Sequence, residues 1–329
     1  MTESRIQRRD VLLGAAAAGL GLASGSSWAD SNWPTKPVTV VVPFPAGGGT
    51  DAFARPLAAQ FSKSTGKTLV IDNRGGAGGT LGASIASKAA PDGYTLFMGA
   101  VHHAIAPSMY PKLDYDIEKD FIPLALLANV PQVVVVNPKT PSANFKQFLD
   151  YVKRNPAKLN YGSAGAGTSH HLAGELFKQQ AGIDLLHVPY KGTPPALNDV
   201  LGGSVPLMFS KLPATLPFIG NGKLVALGVT EAVRSPAEPD IPTLAEQGIQ
   251  GVAVTSWYGL MAPRGTPAAV VDQLAKDASE ILAQPEVRER LKAQGMTGAA
   301  MKPAEFTAHI RDETAVWARI VKARNIVAE

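Results

Sequence analysis

The sequence predicts an α/β protein of two lobes joined by two extended crossings, and three observations carry that expectation. Short β-branched runs end in glycine-rich turns that open into helical patterns, the succession expected of βαβ units around a mainly parallel sheet. The succession starts afresh at Gln132, after a first round that begins at Val38. Extended segments near residues 131 and 252 separate the two rounds. The expected division is therefore 30–131 with 253–329 as lobe 1, and 132–252 as lobe 2.

The first strand is Val38-Thr39-Val40-Val41-Val42, a β-branched run typical of a strand buried on both faces. Pro43-Phe44-Pro45-Ala46-Gly47-Gly48-Gly49-Thr50-Asp51 follows it and opens a helix over 52–64. A short strand over 69–72, the cluster Gly75-Gly76-Ala77-Gly78-Gly79, a helix over 80–89 and a strand over 95–98 complete the first round. The second round reads as a strand over 132–136, a helix over 144–153, the turn Ser163-Ala164-Gly165-Ala166-Gly167-Thr168 and a helix over 169–180. Strands at 187–190, 207–209 and 225–229 follow, with a helix over 194–201. The chain is extended again over 252–261. It ends in three helices, 267–283, 285–294 and 303–322, each with proline at or near its first turn, where the missing N–H is no loss.

Residues 1–29 read as an export signal. Arg5, Arg8 and Arg9 form a charged start, 11–23 an apolar stretch, and Ser27-Trp28-Ala29 a small-x-small cleavage site. Arg8-Arg9-Asp10-Val11-Leu12 fits the twin-arginine pattern, with an ordinary secretory signal as the alternative. The apolar run is shorter than the roughly 20 residues a bilayer span needs, and there is no lipobox cysteine. A soluble, untethered periplasmic protein is the expectation.

Composition excludes several chemistries. The chain has 329 residues and no cysteine, which removes disulfides, thiolate nucleophiles and cysteine-based metal sites. The formal charge of +4 is not gathered into basic runs, so nothing points to nucleic acid. Nucleotide cofactors lack support because Gly76-Ala77-Gly78 is followed by Leu81 where G-x-G-x-x-G needs glycine. No cofactor and no metal is expected.

Two loops of one kind, one per lobe, are the most informative feature: Gly47-Gly48-Gly49-Thr50-Asp51 and Gly165-Ala166-Gly167-Thr168-Ser169. Each lies between the carboxyl end of a strand and the start of a helix, where main-chain N–H groups lack partners and the helix dipole favours an anion. Taken singly, either loop reads better as an ordinary N-cap. As a matched pair on facing lobes they point to a ligand cleft.

Catalytic constellations are poor. Ser163 lies in Gly-Ser-Ala-Gly rather than G-x-S-x-G, and the pairs His102-His103 and His170-His171 lack the i, i+4 spacing of a helical zinc site. Within those pairs His103 and His171 are the candidate cleft liners. His187 reads as a packed strand histidine. Trp257-Tyr258 in the second crossing either lines the cleft floor or packs the core, with Trp257 the candidate, and Phe44 is placed to wall an apolar section of ligand.

Five ordered motifs then resemble one family: residues 42–51, Asp72-Asn73-Arg74-Gly75-Gly76-Ala77-Gly78-Gly79, Pro91-Asp92-Gly93-Tyr94-Thr95-Leu96, His187-Val188-Pro189-Tyr190-Lys191-Gly192 and Trp257-Tyr258-Gly259-Leu260-Met261-Ala262-Pro263. The chain from about Trp33 onward is similar to the Bug family, the TctC-type extracytoplasmic solute-binding proteins of tripartite tricarboxylate transporters. The resemblance implies a two-lobed type II periplasmic-binding-protein fold that closes on a small carboxylate and delivers it to a membrane permease. It implies that Phe44 to Asp51, including Ala46, Gly48 and Gly49, together with Ser163, Gly167, Thr168 and His171, form the common carboxylate end. Where many relatives carry an acid after Leu-Met-Phe, this chain has Ser210-Lys211. An amino-acid ligand is disfavoured, and a di- or tricarboxylate or an aromatic carboxylate is expected, with Lys211 either its counter-charge or a solvent-facing lysine. An exported carboxylate enzyme using His103 or His171 and a ligand-sensing subunit are the rival readings, and a monomer is the simplest expectation for a shuttle.

Overall fold

A computed structural model describes residues 33–141, 144–156 and 158–327, so the export signal read at 1–29 lies outside the described residues. Everything below concerns the unit 34–329. The first round of the chain supplies β1 (Val38–Val42), α1 (Gly49–Thr65), β2 (Leu69–Asn73), α2 (Thr80–Ser87), β3 (Thr95–Ala100), α3 (Val101–Met109) and β4 (Phe121–Val130). The second supplies β5 (Gln132–Val136), α4 (Phe145–Arg154), β6 (Asn160–Ser163), α5 (Ser169–Ala181), β7 (Leu186–Pro189), α6 (Thr193–Gly202), β8 (Leu207–Lys211), α7 (Leu212–Gly220) and β9 (Val225–Val229). The chain closes with β10 (Ser256–Pro263), α8 (Ala268–Ala283), α9 (Pro285–Ala293), β11 (Thr297–Met301) and α10 (Pro303–Arg324).

The strands form two sheets, one ordered β11-β4-β10-β3-β1-β2 and the other β7-β6-β8-β5-β9. β1 runs parallel to β2 and β3, as a right-handed βαβ succession requires. β10 returns antiparallel between β3 and β4, so the last quarter of the chain completes the first sheet. In the second sheet β6 is parallel to β7 and β8, and β5 is antiparallel to β8 and β9.

β4, β11, α3 and α7 were not anticipated from sequence. β4 carries Pro123, which argues against a central strand. β11 pairs with β4 only as far as Leu126, so at Pro123 that side of β4 has no strand to receive an N–H. α7 begins Leu212-Pro213 and contains Pro217; proline fits the first turn, and in so short a helix the second proline falls near its end.

The two sheets share a contiguous apolar core in which Phe97, Phe121 and Trp257 belong to the same cluster as Phe148, Phe177 and Phe209. Trp257 packs edge-on against Phe306 of α10, ring centroids 5.4 Å apart, and α10 also buries Ile310, Trp317 and Val321. The passages between sheets are bound to each other. The Gln132 side chain and the Thr230 hydroxyl both donate to the Val254 carbonyl, at 2.9 and 2.8 Å, and the Gln132 main-chain N–H donates to the Glu231 carboxyl at 3.0 Å. Burial pushes the Glu231 carboxyl up to about 8.

Candidate functional site

One pocket between the sheets collects the starts of five helices. The β1–α1 turn contributes Phe44, Gly48, Gly49 and Thr50, α3 contributes His102, and the β6–α5 turn contributes Ala164, Thr168 and His170. Thr193 of α6 and Lys211 at the end of β8 complete it. Gly48, Thr168 and Lys211 are the N-caps of α1, α5 and α7. Gly49 and Thr193 open α1 and α6, while Thr50, His102 and His170 hold the second positions of α1, α3 and α5. Eight of the ten lining residues thus lie at a helix cap or in a first turn. There the N–H groups have no intrahelical acceptor and the dipole end is positive, so the chemistry of this pocket is that of an anion receptor.

Its side chains agree with that field. Asp51 is in the first turn of α1, but its carboxylate turns away to accept from the Gly47 N–H and from Arg55 Nε, each at 2.9 Å. Burial works to raise its pKa, and the bonds from Arg55 and Gly47 outweigh that and hold the carboxyl below the usual range. The pocket therefore has no acidic side chain in its lining, and one cation. Lys211 is buried, with its Nζ 4.1 Å from the centroid of the Tyr258 ring, and burial brings its ammonium down to about 7. Gly49 is needed at this contact. A Cβ there would lie 3.0 Å from the Tyr258 hydroxyl and 3.5 Å from Lys211 Cδ.

Each histidine pair divides its labour in the same way. His103, at the third position of α3, accepts from the Ala100 N–H through Nδ1 at 3.0 Å and lies 3.3 Å from the Gly79 carbonyl through Nε2. His171, at the third position of α5, accepts from the Gly167 N–H through Nδ1 at 3.2 Å and stacks on His187 at 4.0 Å. A third-position side chain reaches back over the helix start, so these two hold loops and do not line the pocket. The residues before them, His102 and His170, do line it, and neither ring nitrogen of either one has a hydrogen-bond partner. Burial, followed by repulsion from Lys211, pushes His102 well below its ordinary value and His170 down to about 3. Both imidazoles are neutral.

Of the sequence-predicted residues, the pocket unites Phe44, Gly48, Gly49, Thr168 and Lys211. Ala46, Asp51, His103, Gly167, His171, Ser210 and Trp257 lie outside its lining, as does Ser163. Ser163 Oγ is 2.7 Å from His187 Nε2, a hydroxyl–imidazole pair of the kind a hydrolase uses. The hydroxyl is fully buried, it also bonds the Gly165 main chain, and His187 Nδ1 has no orienting carboxylate. The pair braces the turn. Thr50, within the stretch Phe44 to Asp51, is in the lining as well, whereas sequence reasoning missed His102, Ala164, His170 and Thr193. The signal available was positional, since three of those four occupy the first or second residue of a helix.

Beside the pocket, and sharing Phe44 and Ala164 with it, runs a groove of about 300 Å³ between the loops at 76–79, 164–166 and 189–192. Tyr110 spans it, donating its hydroxyl to the Ala166 carbonyl. Among the described residues no helix is long and apolar enough to cross a membrane.

Known proteins resemble this chain in sequence and fold. The family described as Tripartite tricarboxylate transporter family receptor matches residues 53–326. Protein BugT of Bordetella pertussis is 35% identical over 313 residues, which covers 94% of this chain and 95% of BugT. The solved structure of Rpa4515 of R. palustris with adipate has a TM-score of 0.87 at 36% identity, covering 90% of this chain and 99% of that one. That of MatC from Rhodopseudomonas palustris with bound malate has a TM-score of 0.83 at 36% identity, covering 88% and 100%.

Proposed function

This chain belongs to the tripartite tricarboxylate transporter receptor family, and from that premise we propose that it is a periplasmic receptor that captures a small di- or tricarboxylate, or an aromatic carboxylate, between its two lobes. It then hands the acid to the membrane subunits of a tripartite tricarboxylate transporter. The observation that carries the proposal is the convergence of five helix starts on one pocket with no acid in its lining. One carboxylate of the ligand is held by main-chain N–H groups of the β1–α1 and β6–α5 turns, with the Thr50, Thr168 and Thr193 hydroxyls beside them. Phe44, set between the pocket and the groove, walls the carbon skeleton, and the groove gives a longer acid room to extend. Two relatives hold adipate and malate, both of them dicarboxylates.

The binding role, rather than an enzymatic one, is supported by the loop-bracing bonds of His103 and His171, by the absence of an orienting partner on His102 and His170, and by the buried Ser163 hydroxyl. Calorimetric titration with malonate, succinate, malate, adipate, citrate, benzoate and glutamate tests the proposal. One-to-one saturable binding of at least one non-amino acid is expected, with the acid recovered unchanged after long incubation. Turnover of any of them, or tight binding of glutamate alone, would overthrow the reading. Deleting the gene should abolish uptake of that acid; uptake left intact with loss of induction would make the protein a sensor instead.

A further inference from the structure

Lys211 is a buried ammonium with no carboxylate within ion-pairing distance among the described residues. From β10 it is faced by the Tyr258 ring. From α3 it is faced by His102 with His103 behind, and from α5 by His170; its charge bears on all three histidines. α1 presents Gly49 and Thr50, and the β5 residue in register with Lys211 is Gln132, which is neutral. Two acids on neighbouring elements serve other groups: Asp51 is bound by Gly47 and Arg55, and Glu231 lies beyond β5, accepting from Gln132. Beside this lone cation, four imidazole nitrogens that are buried without partners belong to residues of the same pocket. Buried polar atoms are ordinarily paired, and a cation without a counter-ion is costlier still. Such a cluster is incomplete by itself, and an anionic group placed among its members would complete it.

We propose that Lys211, His102 and His170 form a proton-taking subsite for a second anionic group of the ligand, so that capture of a dianion is coupled to uptake of a proton from solvent by the Lys211 amine. The proposal rests on reading the pocket as a carboxylate site. It adds the residues that separate diacids from monoacids and amino acids, and a pH dependence. In the free protein burial leaves the amine close to half-neutral at neutral pH. A carboxylate brought beside it favours the charged form, so the amine takes a proton and its affinity for protons rises on binding. Affinity for a diacid is then greatest below about pH 7 and declines above it. A ligand that presents an ammonium at this end meets only a cation and two neutral rings.

The test is calorimetry of the full mature chain at pH 8 in two buffers of different ionisation enthalpy. It compares the diacids malonate to adipate with the monoacids propionate to hexanoate and with 4-aminobutyrate. The diacids should bind with uptake of about one proton, and their affinity should fall close to tenfold per pH unit between about pH 8 and 9. The matched monoacids should bind more weakly, without uptake. Lys211→Met should abolish the uptake and the pH dependence and reduce diacid affinity by about a hundredfold or more, so that diacids lose their advantage over the matched monoacids. Lys211→Arg, charged at every pH used, should keep a diacid preference with no pH dependence. Uptake of no proton by the unsubstituted protein, or monoacids bound as tightly as diacids, overturns the proposal while leaving the carboxylate reading intact. Failure of every acid to bind removes that reading and the proposal with it.

Discussion

The Tyr110 hydroxyl donates to the Ala166 carbonyl at 2.7 Å, which joins the residue after α3 to the turn after β6 and so bridges the two sheets' loops across the groove beside the pocket. A neutral hydrogen bond of this kind contributes about 1 kcal/mol. Because this one exists only when the two loops are together, Tyr110→Phe should weaken binding of the tightest acid about fivefold. The loss should appear mainly as faster dissociation in stopped-flow measurements. An unchanged dissociation rate would show that the contact does not hold the loops together around the acid.

Gly78 sits in the same seam with φ +62°, and a Cβ there would come within 2.6 Å of both the Ala166 carbonyl oxygen and the Tyr110 hydroxyl. Gly78→Ala should therefore keep the loops apart. Small-angle X-ray scattering with saturating acid should show a larger radius of gyration than for the unsubstituted protein, and affinity should fall about tenfold or more. Normal compaction with normal affinity would mean that the loop shifts at little cost.

Burial lowers the proton affinity of five histidines, His103 and His171 to about 4, His170 and His187 to about 3, and His102 well below its ordinary value. They are neutral in the folded chain, whereas in the unfolded chain they take protons from about pH 6.5 downward. The histidine contribution to stability should consequently be full above that pH and decline as pH falls from about 6.5 towards 4, with a slope reporting more than one proton. Thermal midpoints measured from pH 8 to 5 check this; a flat profile would contradict it.

Lys211 has a dependence of the same sign in a higher pH window. Its pKa is lowered from 10.5 to about 7 by burial, so the folded state favours the neutral amine. The cost of the charge is fully present below about pH 7 and is relieved as pH rises towards 10.5. Lys211→Met should accordingly raise the melting temperature of the unliganded protein by several degrees at pH 7, with the gain shrinking near pH 10. Destabilisation at pH 7 would mean that Lys211 contributes more by packing than it costs by charge.

How much of this was legible depends on which physics each segment obeys. β1 and β5 announce themselves because both faces of each are buried, which demands an unbroken run such as Val133-Val134-Val135-Val136. β11 is Thr-Gly-Ala-Ala-Met at a sheet edge, partly exposed and without β-branched bulk beyond its first residue, so nothing local marks it as a strand. The glycine turns were readable as the site's frame because an N–H nest needs small residues at fixed places. The histidines were not, because choosing His102 over His103 depends on knowing where α3 begins to within one residue. Element ends are where local signals are weakest. Lys211 was identified only as a departure from an expected acid; that it is a cap residue pointing inward follows from α7, a helix that its prolines concealed.

On the proposed function, main-chain N–H groups of the β1–α1 and β6–α5 turns carry most of the grip on one carboxylate, which makes that grip nearly independent of side-chain identity. Replacing residues one at a time with alanine would leave most of those N–H groups where they are, and such a scan would report a site with few determinants. Exchanging a single amide for an ester at Gly49 or Ser169 would remove a donor without touching any side chain, and would expose what the scan passes over. The same separation lets the receptor acquire a new ligand through changes at a few positions such as 102, 170 and 211, with the anchoring end inherited intact.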